Sequence, residues 1–193
     1  MNQNEQNKIA IILPTTLKIA SYEDLTKMAS FEESENLNYG LFMAVDDDDN
    51  YNKEELSIIF PKAKEISIKK YSITKPPHIC KMWRESAQEA YEKGYDFFLL
   101  LGDDIKLIGD WYQEIINLFE NISIKNEVPF GVGCVCLKDI TSPNFPTFPI
   151  THRKHIELFG EIFPKEFVNQ DADPYLYELI EEQEALSEQK THI

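Results

Sequence analysis

The sequence predicts an α/β fold with a mainly parallel sheet, on three observations. Short uncharged runs alternate with stretches of helical periodicity along most of the 193 residues. Several of these runs are apolar at every position, as strands covered on both faces require. Three of them stop at polar turn residues, Pro14-Thr15-Thr16, Asp46 to Asn50 and Gly102-Asp103-Asp104. Open α/β sheets carry their ligands just beyond such carboxyl ends.

The elements follow in order. Lys8 to Leu13 is a first buried strand. Ser21 is placed to cap a helix through about Ser34, with Leu25, Met28 and Ala29 facing inward. Tyr39 to Val45 is a second strand, running into Asp46-Asp47-Asp48-Asp49. A short helix over Lys53 to Phe60 is stopped by Pro61, and Glu65 to Ser72 alternates as a third strand nearer an edge. Pro76-Pro77 bars helix before it and permits helix after it. From His78 to Lys93, Ile79, Met82, Trp83, Ala87, Ala90 and Tyr91 form one apolar stripe, which makes Trp83 a core residue. Gly94 is the expected stop, and Asp96 to Leu101 is the fourth strand.

The second half is less regular. Asp110 is placed to cap a helix carrying Trp111, Ile115, Ile116, Leu118 and Phe119. Phe130 to Leu137 is a further strand whose glycines suggest close backbone approach. Ser142 to Pro149 is read as a proline-rich loop, Thr151 to Phe159 as a short helix ended by Gly160, and Phe163 to Pro174 as loop. Pro174 opens a last helix, Tyr175 to about Ala185, before an acidic tail. No internal repeat or long linker divides the chain. One domain over residues 1–193 is expected, with a nucleotide-binding half at about 8–105 and an acceptor half at about 106–185.

Composition narrows the functional classes. With 19 basic and 34 acidic residues the formal charge is −15, which argues against non-specific nucleic-acid binding. A phosphorylated small molecule remains compatible if a divalent cation bridges it to acids. No apolar run approaches a membrane span. The polar opening Met-Asn-Gln-Asn-Glu-Gln-Asn-Lys lacks a secretory apolar core, so a cytoplasmic protein is expected. The three cysteines, Cys80, Cys134 and Cys136, fit no zinc spacing and read as reduced structural thiols. Asp46 to Asp49 is not a calcium loop, because the glycine slot holds Tyr51 and the terminal glutamate slot Ser57. Asp103 and Asp104, at the end of an apolar strand, form a hard oxygen site suited to Mg²⁺ or Mn²⁺. His152-Arg153-Lys154-His155 is the densest basic spot, either an exposed helix face or a site where Arg153 or Lys154 meets phosphate and His152 or His155 completes a metal shell.

Four segments together resemble the GT-A glycosyltransferases, the nucleotide-diphospho-sugar transferase fold, a Rossmann-related plan. They are the strand running into Pro14-Thr15-Thr16, and the second strand ending in Asp46-Asp47. The helix ending at Gly94 and leading into Tyr-Asp-Phe-Phe-Leu-Leu-Leu-Gly-Asp-Asp-Ile is the third. The fourth is Phe-Gly-Glu-Ile-Phe-Pro at 159–164, followed by Asp171-Ala-Asp173-Pro. The resemblance covers about residues 8 to 182. It implies a metal-dependent transfer of sugar from a nucleotide-diphosphate sugar to a glycan or other hydroxyl acceptor. Pro14, Thr15, Thr16, Asp46 and Asp103 would contact the nucleotide, Arg84 would approach the donor, and Arg153 would meet its phosphates. The family's usual Asp-any-Asp would begin at Leu101 or Gly102, so the metal falls to Asp103 and Asp104, Asp104 first. Asp173, then Asp171, are the candidate general bases for an inverting reaction. One alternative is a nucleotidyltransferase that makes nucleotide sugars, although Pro14-Thr-Thr-Leu-Lys18 lacks the glycine-rich phosphate loop it would want. Another is a catalytically silent binding module of the same fold.

Overall fold

A computed structural model describes residues 7–15, 32, 34, 37–49, 52–72, 79–103, 105–107, 109–138 and 146–168. Of the helix expected over 21–34 only residues 32 and 34 are described, and residues 139–145 and everything from 169 onward lie outside the described residues. Six strands form one sheet: β1 (Ile9–Pro14), β2 (Tyr39–Asp46), β3 (Glu65–Tyr71), β4 (Phe97–Leu100), β5 (Cys134–Lys138) and β6 (Pro146–His152). Their order is β3-β2-β1-β4-β6-β5. The first four are mutually parallel, while β6 runs antiparallel to both β4 and β5. The described helices are α1 (Lys53–Ile59), α2 (Ile79–Glu92), α3 (Trp111–Lys125) and α4 (Arg153–Phe159). None of them is long and apolar enough to cross a membrane.

The period-2 alternation of β1 explains why no position in it is polar. Ile9, Ile11 and Leu13 join Leu41, Phe97, Leu99 and the α3 residues Trp111, Ile115 and Phe119 on one face. Ala10 and Ile12 join Phe42, Phe98, Leu100 and the α2 residues Cys80, Trp83, Ala87 and Ala90 on the other. Burying each such large apolar side chain contributes roughly 1.5–3 kcal/mol, and loss of either face would expose the site-bearing strands. Gly94 closes α2 with φ 80°, a left-handed turn that lets Tyr95 N–H bond back to the Ala90 carbonyl at 3.1 Å.

The second half differs from its sequence reading in three places. Residues 146–152 form β6 rather than a loop and a helix start, and α4 begins at Arg153. Two prolines argue against strand, yet β4 pairs with β6 only through Ile150, Thr151 and His152. Pro146 and Pro149 fall beyond that stretch, where only β5 lies alongside and a bulge at Phe148, φ 47°, breaks the ladder. β5 is shorter than predicted, because Phe130 to Gly133 form a turn before it. Asp110 precedes α3 but makes no side-chain cap; its Oδ1 accepts from the Ser34 hydroxyl at 2.5 Å.

Candidate active site

The strand order fixes where a ligand can sit. From β1 the chain steps outward through β2 to β3, then returns to add β4 on the other side of β1. The crevice beyond the carboxyl ends of β1 and β4 is therefore the topological switch point of the sheet. Thr15 follows β1 there and Asp103 follows β4. The Thr15 hydroxyl donates to Asp103 Oδ2 at 2.8 Å, joining residues 88 apart in sequence. Thr15 is 6% exposed, whereas Asp103 is half-buried and keeps access to solvent. A carboxylate has about four lone-pair sites, so one hydroxyl leaves it with acceptor capacity for a ligand.

Asp46 ends β2 on the opposite flank of Thr15. The Thr15 N–H bonds to the Ala44 carbonyl at 2.9 Å, which holds the two strand ends in step. Asp46 and Asp103 are thus separated by two inter-strand spacings, roughly 10 Å. The acidic turn after Asp46 is built rather than loose. Asp49, expected with Asp48 as a solvated turn, is 4% exposed, and its Oδ2 accepts the Asp46 N–H at 3.1 Å. Lys70 Nζ donates to the Asp49 carbonyl at 2.7 Å, and Asp47 N–H donates to the Tyr71 carbonyl at 2.8 Å. Asp48 is exposed, as expected.

His152 and Arg153 are not at this end. His152 stands opposite Phe97, the first residue of β4, because β6 runs antiparallel. Three strand residues alone span about 10 Å, so the whole of β4 separates His152 from the acidic turn. The imidazole is 7% exposed and packs against Phe97 and Phe130, with ring centroids at 4.9 and 5.7 Å. Its Nδ1 accepts the Lys154 N–H at 3.2 Å, capping α4. Desolvation by burial lowers its pKa to about 4, so it is neutral at pH 7. A Cβ on Gly131 would lie 2.2 Å from His152 Nδ1, so the glycine makes room for the ring. Arg153 reaches the Tyr95 carbonyl at 3.3 Å, Glu157 at 3.2 Å and the Tyr91 ring face at 5.0 Å. Both residues therefore hold the amino edge of the sheet together, which corrects their assignment to metal and phosphate.

Arg84 is also placed apart. It pairs with Glu161 at 3.7 Å and lines a cavity of about 460 Å³ with Lys69, Glu85 and Glu89, which none of Pro14, Thr15, Asp46 and Asp103 line. Among the described residues, no three His, Cys, Asp or Glu side chains are grouped to hold a metal ion. Thr16, Asp104, Asp171 and Asp173 lie outside the described residues. Trp83, read from sequence only as core, points its indole N–H at the Leu101 carbonyl at the base of the acidic turn, 3.4 Å away. A buried tryptophan normally finds such a partner, but which carbonyl it meets is set by tertiary packing.

No family model and no curated protein matches the sequence. Solved structures do match by fold. A protein described as a nucleotide-diphospho-sugar transferase from Desulfovibrio desulfuricans G20 aligns at TM-score 0.50 and 11% identity, over 95% of this chain and 78% of that one. Residues 1–349 of S. aureus TarS align at TM-score 0.54 and 12% identity, over 89% of this chain and 54% of that one. The same TarS segment in complex with UDP aligns at TM-score 0.51 and 12% identity, over 88% and 53%. The chain thus spans about half of the TarS segment. The fold is GT-A-like, that of nucleotide-diphospho-sugar transferases.

Proposed function

We propose that this protein is a metal-dependent glycosyltransferase that moves a sugar from a nucleotide-diphosphate sugar to a hydroxyl acceptor, with inversion. The observation that carries the reading is the Thr15–Asp103 hydrogen bond at the switch point, with Asp46 on the neighbouring strand. The UDP complex of a similar fold supports a nucleoside diphosphate as the ligand class.

The donor set suits Mg²⁺ or Mn²⁺. Asp103 presents a half-exposed hard carboxylate beside a hydroxyl, and Mg²⁺ commonly binds through one or two carboxylates together with substrate phosphates. Asp103 and Asp104 would hold the ion, with Asp104 as the principal ligand. When bound, it would neutralise the leaving diphosphate as a Lewis acid. The chain's own residues supply the rest. Thr15 orients the Asp103 carboxylate, and Pro14 and Thr16 flank it where the nucleotide enters. Asp46, on its preorganised turn, accepts hydrogen bonds from the ribose or base. Asp173 takes the acceptor proton as the hydroxyl attacks, with Asp171, two residues earlier in sequence, the second candidate for that role. The acceptor is held by the half of the chain from about 106 to 185.

The test is a panel of UDP and GDP sugars assayed for slow hydrolysis with Mn²⁺ or Mg²⁺, comparing wild type with Asp103→Ala and Asp104→Ala. The reading expects metal-dependent release of sugar that both variants lose. Nucleotide binding with pyrophosphate-dependent cleavage would favour a nucleotidyltransferase. No nucleotide binding under any metal condition would favour a silent module.

A further inference from the structure

The parallel ladder between β1 and β4 stops one bond early. In a parallel pair, a residue donates its N–H to the residue before its partner and accepts from the residue after it. Ile12 sits opposite Leu100, and its carbonyl accepts from Leu101 N–H at 3.0 Å. The next β1 donor, two residues on, would reach the Leu101 carbonyl. That position is Pro14, which has no N–H. The carbonyl at the base of the acidic turn is denied its ladder partner, and an unpaired backbone acceptor away from water is costly.

Trp83 takes the place of the missing donor. Its indole Nε1–H meets the Leu101 carbonyl at 3.4 Å, from a side chain that is 6% exposed. The ring is held edge-on by Phe163, centroids 6.5 Å apart, in the loop after α4. Two residues past Leu101, Asp103 receives the Thr15 hydroxyl. The turn is thereby gripped twice by side chains, at its base from α2 and at its carboxylate from β1.

We propose that Trp83 is a positioning residue for the acidic turn: its indole N–H replaces the hydrogen bond that Pro14 withholds and fixes the Leu101–Asp103 backbone for binding a nucleoside diphosphate. The inference rests on the functional reading above. It also gives Pro14 a role that needs no contact with ligand. A proline here ends the ladder and frees the chain to turn, while the tryptophan satisfies the carbonyl left behind.

Trp83→Phe keeps an aromatic ring in the core and removes only the donor. Backbone amide exchange at Leu101, whose N–H is held by the Ile12 carbonyl at 3.0 Å, should quicken about tenfold. Affinity for UDP with Mn²⁺ should fall about fivefold, the worth of one hydrogen bond. Adding Pro14→Ala supplies an N–H to the same carbonyl and should restore slow exchange, a reading that needs no ligand. In the wild-type protein the Trp83 indole proton should itself exchange about a hundredfold more slowly than a free indole. Unchanged exchange at Leu101 in Trp83→Phe, no restoration of that exchange by Pro14→Ala, or an unprotected indole proton would each overturn the proposal. The exchange readings need no ligand. Should wild type bind no nucleoside diphosphate, the functional reading falls while exchange still decides the role of Trp83.

Discussion

The two ends of β4 invite comparison, because each collects polar residues that look like a site in the sequence. At the amino end, Asp96 accepts the Lys8 N–H at 2.9 Å, Arg153 is stacked and bonded, and His152 is closed in by Phe97 and Phe130. At the carboxyl end, Thr15 meets Asp103 and Asp46 ends β2 beside them, with both acids half-exposed. The first end uses its polar groups on the chain itself. The second keeps carboxylate capacity for something else. Residue type does not separate the two ends; satisfaction and access to solvent do.

That contrast can be broken by perturbing each end in turn. Gly131→Ala should have the largest effect on stability. Its Cβ would lie 2.2 Å from the His152 ring at a φ of 89°. Left-handed strain and overpacking each cost about 1–3 kcal/mol, so urea unfolding should show a loss of about 4 kcal/mol. A wild-type midpoint would mean that the amino end is not closed around the imidazole.

Acid should open the same end next. Desolvation lowers the pKa of both His152 and His155 to about 4 from 6.5. The folded state thus binds protons less readily than the unfolded chain. The contribution is fully present above pH 6.5 and is lost as pH falls towards 4. At about 1.4 kcal/mol per pKa unit, the loss is up to roughly 3 kcal/mol for each histidine. Denaturant midpoints measured between pH 7 and pH 4 should fall, and the fall should shrink in His155→Gln. A flat profile would contradict the buried, neutral assignment.

At the carboxyl end, Thr15→Val should leave stability within about 1 kcal/mol of wild type, since it removes one partly solvated hydrogen bond. It should weaken UDP binding with Mn²⁺ about fivefold by releasing the Asp103 carboxylate. Equal affinity in the variant would detach Thr15 from the site. Smallest is Arg153→Ala, expected to cost about 1 kcal/mol in unfolding through lost stacking and surface pairing, with no change in nucleotide affinity.

Much of the first half was legible because its signals are local. Apolar runs, Gly94 and the acidic turn at 102–104 mark strand, helix stop and strand end without reference to partners, and β1, β2, β4 and α2 lie where those signals put them. The second half hides its information in pairing. Pro146 and Pro149 argue for a loop, and only the three-residue contact with β4 makes room for them in a strand. The basic cluster at 152–155 left an exposed helix face and a site both open, because charge is visible in a sequence and strand direction is not. Had β6 run parallel to β4, His152 would have ended beside Asp103. The burial of Asp49 and the carbonyl met by Trp83 are likewise products of tertiary placement.

The most direct test of the account is calorimetric titration of UDP, with and without Mn²⁺, into wild type, Asp103→Asn and Arg153→Ala. The account predicts Mn²⁺-dependent binding that Asp103→Asn weakens about a hundredfold, the scale of removing one preorganised electrostatic contact, and that Arg153→Ala leaves intact. Binding that survives Asp103→Asn but is lost in Arg153→Ala would put the ligand at the amino end of the sheet and contradict it.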